Sequence, residues 1–311
     1  MTKFLKTCLI IGVICIAVGF AASAAGIRIG GWDELKEQIL NGEWSIGPED
    51  IKFDIDPFYE LEDQNYYNEN EKIYTNEDLV EDTFGTADFQ KIHVKGAGIA
   101  IKFLNQDSSD VEVRATKSGK YQSYIKENVL YITASGKSEK DLGEGMLQIL
   151  VPQSIYDAGV LDIIVEASAA TVDFGEIQAA EVELEVSAGT ITWAGLTAND
   201  LEINMAAGTV NGEKTIIFNS TDIDMKAGAV TLEGVLGAEV DMGVSAGKIT
   251  LQLAHVMEDY NYDLSCAGGS IKLGKESIEG LAMERKIDNH AACNMGIECS
   301  VGSVEIAFVT P

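Results

Sequence analysis

A unit of about twenty residues repeats along the second half of the sequence and constrains the fold more than any other feature. Each unit has alternating apolar residues, a pair of small residues and a second alternating stretch, as in EVELEVSAGTITW (181–193) and LEINMAAGTVNG (201–212). The second small residues of the pairs lie 19, 19, 20, 19, 22 and 33 residues apart, at Ala170, Gly189, Gly208, Gly228, Gly247, Gly269 and Gly302. A fixed period of this length is typical of a solenoid, in which successive repeats stack on one another.

The apolar residues of the repeats fall into columns at fixed distances from this small residue. Positions seven, five and three before it, and two and four after it, are apolar in nearly every unit. Because side chains alternate between the two faces of a strand, the columns predict two short strands per unit, each with one buried face. The small pair allows a bend between the two strands without a Cβ clash. One unit cannot bury its apolar face alone, so we expect Leu184, Ile203 and Ile223 to be neighbours in adjoining turns.

The sequence therefore predicts an all-β fold, a single-domain parallel β-solenoid (β-helix-like) stack of rungs of about 20 residues. The segment DFQKIHVKGAGIAIKF (88–103) has the same form, so the domain is expected to span 86–311. The segment GKESIEGLAMERKIDNHAAC (274–293) interrupts the repeats, and we expect it to leave the stack as a loop or short helix. The alternative is a β-sandwich of hairpins, but within the repeats only Asn211-Gly212 has the turn sequence that hairpins favour.

The N-terminal segment predicts a transmembrane anchor. Residues 1–6 contain Lys3 and Lys6, and residues 7–27 are uncharged and long enough to cross a bilayer as a helix. The preceding positive charge predicts a cytoplasmic stub at 1–6 and an extracytoplasmic location for the rest of the chain, a single-pass protein of the cell membrane. A cleaved signal peptide is the alternative, because Ala22-Ser23-Ala24 resembles a cleavage site.

Residues 28–85 are expected to connect the anchor to the repeats. Apolar residues within 30–42 have near-helical spacing, which is compatible with a short amphipathic helix at the membrane surface, and a polar stub after the anchor is the alternative. Residues 49–82 hold thirteen acidic residues and two lysines, a composition typical of an extended acidic linker.

The charge balance excludes some functions. The formal net charge is −28, the pI is about 4.3, and arginine occurs only at Arg28, Arg114 and Arg285. Nucleic acids and anionic membrane surfaces require a cationic patch, and the sequence lacks the residues for one. We therefore expect no nucleic-acid partner and an acidic, self-repelling surface.

The sequence contains no catalytic motif. The patterns G-x-S-x-G, H-E-x-x-H and the P-loop are missing, and His93, His255 and His290 are scattered. A polysaccharide-active β-helix enzyme is an alternative, because such enzymes combine acidic faces with a basic residue, for which Lys226 and Lys248 are candidates. We predict that the chain is not an enzyme and needs no cofactor.

One outward position of the repeats is acidic in five units. The position six before the small residue holds Glu183, Glu202, Asp222, Asp241 and Asp263. In-register stacking would form a ladder of carboxylates about 5 Å apart, extended by a second column at Asp162, Glu181, Asp200 and Glu239. Like charges on neighbouring strands repel, so this ladder either splays into water or binds cations weakly, Ca²⁺ being the candidate.

Two cysteines share an inward column. Cys266 and Cys299 both lie three residues before the small residue, so adjacent rungs would bring them within disulfide range. A disulfide would persist outside the cytoplasm, while buried free thiols are the alternative. Cys293 would remain unpaired.

A family resemblance rests on the anchor, on the segments FQKIHVKGAGIAIKF and LQILVP, and on the repeated LEVSAGTITW and VDMGVSAGKITL units. These features resemble the "putative adhesin" family of bacterial envelope proteins, a β-strand-repeat domain of unknown function also called LiaG-like. The resemblance implies a single-anchor surface protein with a β-helix-like domain. It supplies no catalytic residues. It implies a non-catalytic envelope-binding, adhesin-like module whose partner is a wall polymer or an envelope protein. The alternative is a regulatory or accessory protein of an envelope-stress system. The acidic linker and the cysteines of the last repeats depart from the family pattern.

Overall fold

The computed structural model describes residues 72–73, 79–116, 119–136 and 146–309. Their strands form one 17-stranded sheet within the unit Asp56–Pro311. The predicted span at 7–27, the helix at 30–42 and most of the acidic linker lie outside the described residues. Within the described part, no helix has the length and apolarity needed to cross a bilayer.

The strands and helices follow one another in three groups. The first group is β1 (Lys72–Ile73), β2 (Leu79–Gly85), β3 (Lys91–Ala97), β4 (Ala100–Gln106), β5 (Asp110–Thr116), β6 (Gly119–Lys126), β7 (Val129–Gly136), β8 (Met146–Pro152) and α1 (Gln153–Ala158). The second is β9 (Asp162–Ser168), β10 (Ala170–Asp173), β11 (Glu176–Gln178), β12 (Glu181–Trp193), β13 (Gly195–Leu236) and β14 (Glu239–Leu253). The third is a 3-10 turn (Met257–Asp259), β15 (Tyr260–Leu273), β16 (Glu276–Ile287) and β17 (Cys293–Phe308).

The second group forms a solenoid-like stack in which successive repeats pair in parallel. Leu184 in β12 pairs with Ile203 in β13, and Ile223 in β13 pairs with Met242 in β14. These four side chains are buried in the core. The predicted columns are therefore confirmed, because identical positions of neighbouring repeats lie side by side.

Each rung of this stack has three short faces. The first face precedes the small residues (for example 181–186), the second follows them (189–193), and the third is the return segment, in which β11 pairs with Gly195–Thr197. One exception to the apolar columns, Gly212, lies against the ring of Trp193, which leaves no room for a Cβ atom there. The indole Nε1 of Trp193 donates a hydrogen bond to Oγ1 of the buried Thr215 at 3.0 Å.

Glycine is required at the corner between the first and second faces. Gly208 has φ 146° and Gly269 has φ 149°, which other residues rarely adopt. A Cβ atom on Gly208 would overlap the carbonyl oxygen of Gly189 in the preceding rung. The glycine column therefore lets adjoining rungs approach closely at the corner.

The last strands stack in an order that differs from their order in the chain. β17 pairs in parallel with β14 through Gly247↔Gly302 and with β15 through Gly269↔Gly302. β16 is antiparallel to β15 and pairs with its other edge, which gives the order β14–β17–β15–β16. The expectation that 274–293 leaves the stack is wrong, because residues 276–287 form the outermost strand.

The first strands show the same interposition. β3 lies between β7 and β9, and β4 lies between β8 and β10, all in parallel. β6 then pairs antiparallel with β7, and β5 with β8, while β1 and β2 pair with β6 and β5. The sheet therefore extends upstream of Thr86, the predicted start of the domain.

Candidate binding face

The outward side chains of the first face form a strongly acidic surface. We call it the acidic face and define it by seven carboxylates, Glu181, Glu183, Asp200, Glu202, Asp222, Glu239 and Asp241. Alternation along the strands directs these side chains outward, because the residues between them fill the core. Six of the seven, all except Glu183, line a groove of about 570 Å³.

Part of the predicted carboxylate ladder is present. Glu183 pairs with Glu202, and Asp222 pairs with Asp241. Burial raises the pKa of the Asp222 carboxyl, and the neighbouring charges of Asp241 and Glu202 raise it further. Burial likewise raises the pKa of Glu183, with Glu202 and Glu181 adding to the effect. Burial is the larger cause of both shifts, and repulsion from the neighbouring carboxylates adds to it.

The fifth member of the predicted ladder lies elsewhere. Gly296 of β17 is the register partner of both Asp241 and Asp263, so it separates the two carboxylates by one strand. Asp263 instead accepts a hydrogen bond from Lys286 of β16 at 2.6 Å. The prediction of five consecutive carboxylates is therefore wrong, because the interposed β17 places a glycine in the column.

The second acidic column has polar neighbours that hold its carboxylates. The hydroxyl of Ser220 donates to Oδ1 of Asp200 at 2.5 Å. The amide of Asn294 donates to Oε1 of Glu239 at 2.9 Å. Asp162, which begins this column, forms an ion pair with Lys91 at 3.7 Å. Donors therefore lie beside the later carboxylates of this column, whereas Asp162, Glu181 and Asp200 follow one another directly in the register.

A third outward column was missed by the sequence analysis. It lies four residues before the corner residue and holds Glu166, Glu185, Asp224 and Glu298. Glu166 differs from the others because His93 Nε2 lies 2.6 Å and Lys95 Nζ 3.0 Å from its carboxylate. These partners, with the His93 hydrogen bond as the largest cause, lower the pKa of Glu166 to about 2. The period-two alternation that identified the other two columns would also have identified this one.

The acidic face is suited to attracting cations, not to enclosing one. Within the described ranges, no group of three or more His, Cys, Asp or Glu side chains is arranged to hold a metal ion. Tight Ca²⁺ sites need about six to eight oxygen ligands around one point, whereas this face supplies at most two carboxylates per rung, spread along two lines of the stack. Its chemistry is therefore that of a diffuse negative field over several rungs.

The second face carries hydroxyl and amide side chains in place of carboxylates. Thr192 pairs with Asn211, and Thr231 pairs with Thr250 in a later rung. Farther along the stack this face becomes charged, because Glu305 forms ion pairs with Lys272 at 2.7 Å and Lys248 at 3.7 Å. Two adjoining faces therefore present different repeated chemistry.

The two cysteines of the inward column are brought together. Cys266 is the register partner of Cys299, and both are buried free thiols in the structure. Burial, followed by the proximity of Cys266, raises the pKa of Cys299 to about 12. Cys293 is a free, half-buried thiol in another column. A disulfide between Cys266 and Cys299 stays a prediction, but their placement in adjoining strands is established.

Comparison with known proteins identifies the repeat domain. A family model described as Toastrack DUF4097 matches residues 89–280, which is more than half of the chain. The match includes the interposed strands β3 and β4, the solenoid-like stack from β9 to β14, and the strand β15. No curated protein matches the chain at a significant level.

Three solved structures resemble the chain at low identity. A "putative cell adhesion protein" from Clostridium sporogenes is 11% identical, with 75% of this chain and 99% of that chain covered and a TM-score of 0.35. A "putative adhesin" from Bacteroides fragilis is 12% identical, with 74% and 97% covered and a TM-score of 0.38. A "putative adhesin" from Parabacteroides merdae is 10% identical, with 74% and 98% covered and a TM-score of 0.31.

Proposed function

We propose a function from the premise that this chain belongs to the Toastrack DUF4097 family. The protein is a non-catalytic binding module of the cell envelope, held at the membrane by residues 7–27 and displaying its repeats outside. Its partner is a repetitive envelope polymer or an envelope protein that carries cationic groups. The uncharged length of 7–27 and the lysines before it support the anchor, and the acidic face supports a cationic partner.

The observation that carries this proposal is the in-register repetition of the acidic face. Glu183 pairs with Glu202, and Asp222 pairs with Asp241, so equivalent carboxylates recur at the spacing of adjacent strands. A surface that repeats one group is matched to a ligand that repeats its complement. Several weak contacts on one such ligand then add up to an avidity far above that of a single contact.

The experiment compares binding of the anchored full chain to isolated envelope polymer in two matched variants. The first carries Glu202→Gln, Asp222→Asn and Asp241→Asn, which remove three charges from the acidic face. The second carries changes at three exposed acidic residues outside it, Glu213→Gln, Glu233→Gln and Glu258→Gln.

We expect the first variant to lose most of its binding and the second to keep it, because only the first removes the repeated charges. Equal losses in both variants would show that net charge alone governs binding, and full retention in both would exclude the acidic face. A regulatory role in envelope stress predicts a different dependence. Replacing residues 7–27 by an unrelated anchor would abolish intramembrane signalling but leave polymer binding intact.

A further inference from the structure

A second groove lies on the third face of the stack, against helix α1, and shares no residue with the acidic face. It has a volume of about 330 Å³. We call it the amide groove and define it by six of the residues that line it, Asn105, Gln153, Tyr156, Gln178, Thr197 and Ile216. They come from β4, α1, β11 and two turns of β13. The interposition of β4 beside β10 brings Asn105 to the same place as the return segments.

Tyr156, one of the residues that line this groove, carries an unusual hydroxyl. The side chain is only 1% exposed, yet its hydroxyl has no hydrogen-bond partner in the described part of the chain. Burial raises the pKa of Tyr156 far above its ordinary range, so the hydroxyl remains protonated and can both donate and accept. A buried hydroxyl without a partner is unfavourable, and a ligand atom that bonds to it removes that cost.

Three amide side chains, Asn105, Gln153 and Gln178, line the same groove as Tyr156. Asn105 Nδ2 donates to Oε1 of Gln153 at 2.9 Å, and Gln153 Nε2 donates to Oδ1 of Asp157 at 2.8 Å. These bonds fix the orientation of Gln153. Gln178 is half-buried, and its amide makes no side-chain hydrogen bond to the residues described. The amide of Gln178 therefore leaves both a donor and an acceptor unused in the groove that Tyr156 also lines.

The groove is close to neutral although the chain carries a net charge of −28. Its two charged lining residues, Glu176 and Lys214, form an ion pair at 3.2 Å. They come from rungs on either side of Gly195, which has no side chain to separate them. The 41% exposed Ile216 adds an apolar surface. Neutral donors and acceptors beside an apolar patch match the hydroxyl groups and C–H faces of a sugar ring.

We propose that the amide groove binds a neutral saccharide, with Tyr156 and Gln178 as its hydrogen-bonding residues. The inference rests on the proposed envelope-binding function and names a ligand class and a site for it. The volume is at the lower end of small-molecule sites, about 300–1,000 Å³, and suits one or two sugar units of a longer chain.

The test is calorimetric titration of the full chain with neutral tetrasaccharides of N-acetylglucosamine, glucose and mannose. The variants are Tyr156→Phe and Gln178→Ala. The matched controls are Tyr131→Phe, in β7, and Gln252→Ala, an exposed residue of β14. We expect at least one tetrasaccharide to bind, and each groove variant to weaken its binding about 3- to 10-fold, the effect of one neutral hydrogen bond. The controls should bind as the parent does.

The melting temperature separates a binding role from a structural one. Tyr156→Phe removes an unpartnered hydroxyl, so the variant without ligand should melt at the parent temperature or above it. A lower melting temperature would show that the hydroxyl is needed for folding and would overturn the proposal. So would the failure of all three sugars at millimolar concentration, or binding that Tyr156→Phe and Gln178→Ala leave unchanged. Envelope binding that persists under these outcomes would leave the proposed function standing.

Discussion

Cys266 of β15 and Cys299 of β17 lie directly opposite each other in two parallel strands that are joined through the outer strand β16. A bond between them would link the interposed strand β17 to β15, the strand that covers it. Adjacent strands lie about 4.8 Å apart, which is within the Cα separation of a disulfide. The high pKa of Cys299, about 12, means that little thiolate is present at neutral pH to start the oxidation.

We predict that oxidation of this pair requires unfolding. Diamide applied to the native protein should leave both thiols reduced, whereas refolding in an oxidising buffer should form the Cys266–Cys299 bond. The closed loop would raise the free energy of unfolding by about 3–4 kcal/mol. Peptide mapping without reductant and thermal melts would measure both effects, with Cys293→Ser as the control for mispairing. Recovery of two free thiols after oxidative refolding would contradict the prediction.

The corner glycines provide a test of close rung packing. Gly269→Ala should destabilise by about 3 kcal/mol or more, because its φ of 149° is unfavourable for alanine and its Cβ would overlap the carbonyl oxygen of Gly302. Gly268→Ala is the matched control, since a Cβ there meets nothing closer than 3.8 Å. Urea unfolding of both variants gives the comparison. Similar stabilities would show that the corner accommodates a side chain.

Glu166 should give the protein a component of acid sensitivity. Its pKa falls from an ordinary 4.5 to about 2 in the folded state, so the contacts of its carboxylate with His93 and Lys95 stabilise the fold fully above pH 4.5. That contribution is lost as the pH falls through the interval between these values. Glu166→Gln should lower stability at pH 7 and flatten the decline below pH 4.5 in pH-dependent urea titrations. Glu185→Gln, at its exposed register partner, should keep the parent slope.

Ionisation of Asp222 in the carboxylate ladder should lower the free energy of unfolding, whereas ionisation of Glu166 raises it. The pKa of Asp222 is raised in the folded state, so its ionised form opposes folding at neutral pH and protonation relieves the repulsion. We expect Asp222→Asn to raise the free energy of unfolding at pH 7 by a few tenths of a kcal/mol. The gain should shrink as the buffer is made acidic, because the parent carboxyl is then protonated as well. A variant less stable than the parent at pH 7 would show that the charge is compensated.

Divalent cations should stabilise the protein weakly through the same face. Millimolar Ca²⁺ should raise the melting temperature above that in EDTA at equal ionic strength, and the rise should be smaller in Asp222→Asn. The reason is that Ca²⁺ prefers oxygen ligands and its charge offsets repulsion between neighbouring carboxylates. Identical melting temperatures in Ca²⁺ and EDTA would contradict cation binding and leave a solvated acidic surface.

Sequence periodicity was sufficient to predict which residues form the inward columns and most of the acidic face. Leu184 and Ile203 could be assigned to adjoining turns because their distance from the corner glycine is the same. The same reasoning placed Cys266 and Cys299 in one column. Period-two alternation depends only on local chain geometry, which is why it transfers directly from sequence to structure.

The order of the outer rungs could not be predicted in this way. Periodicity shows which side chains face inward but not which strand lies beside which, so the separation of Asp241 from Asp263 by Gly296 was not foreseen. The segment that forms β16 was expected to be a loop or short helix because it interrupts the spacing of the repeats. Its apolar residues do not share one environment, since Met283 is buried while Leu281 is exposed. The amide groove joins residues as distant as Asn105 and Ile216, and no repeat pattern connects them.

The interposed strands also determine how the domain would respond to pulling. Tension from the N-terminal side first meets β1, which pairs with β6, and then β2, which pairs antiparallel with β5. It then reaches β3, which is bonded along both edges, to β7 and β9. β17 resists in the same way, because extracting it along its length ruptures the hydrogen bonds to β14 and β15 together. We expect the interposed strands β3 and β17 to be the parts of the domain that resist pulling most strongly.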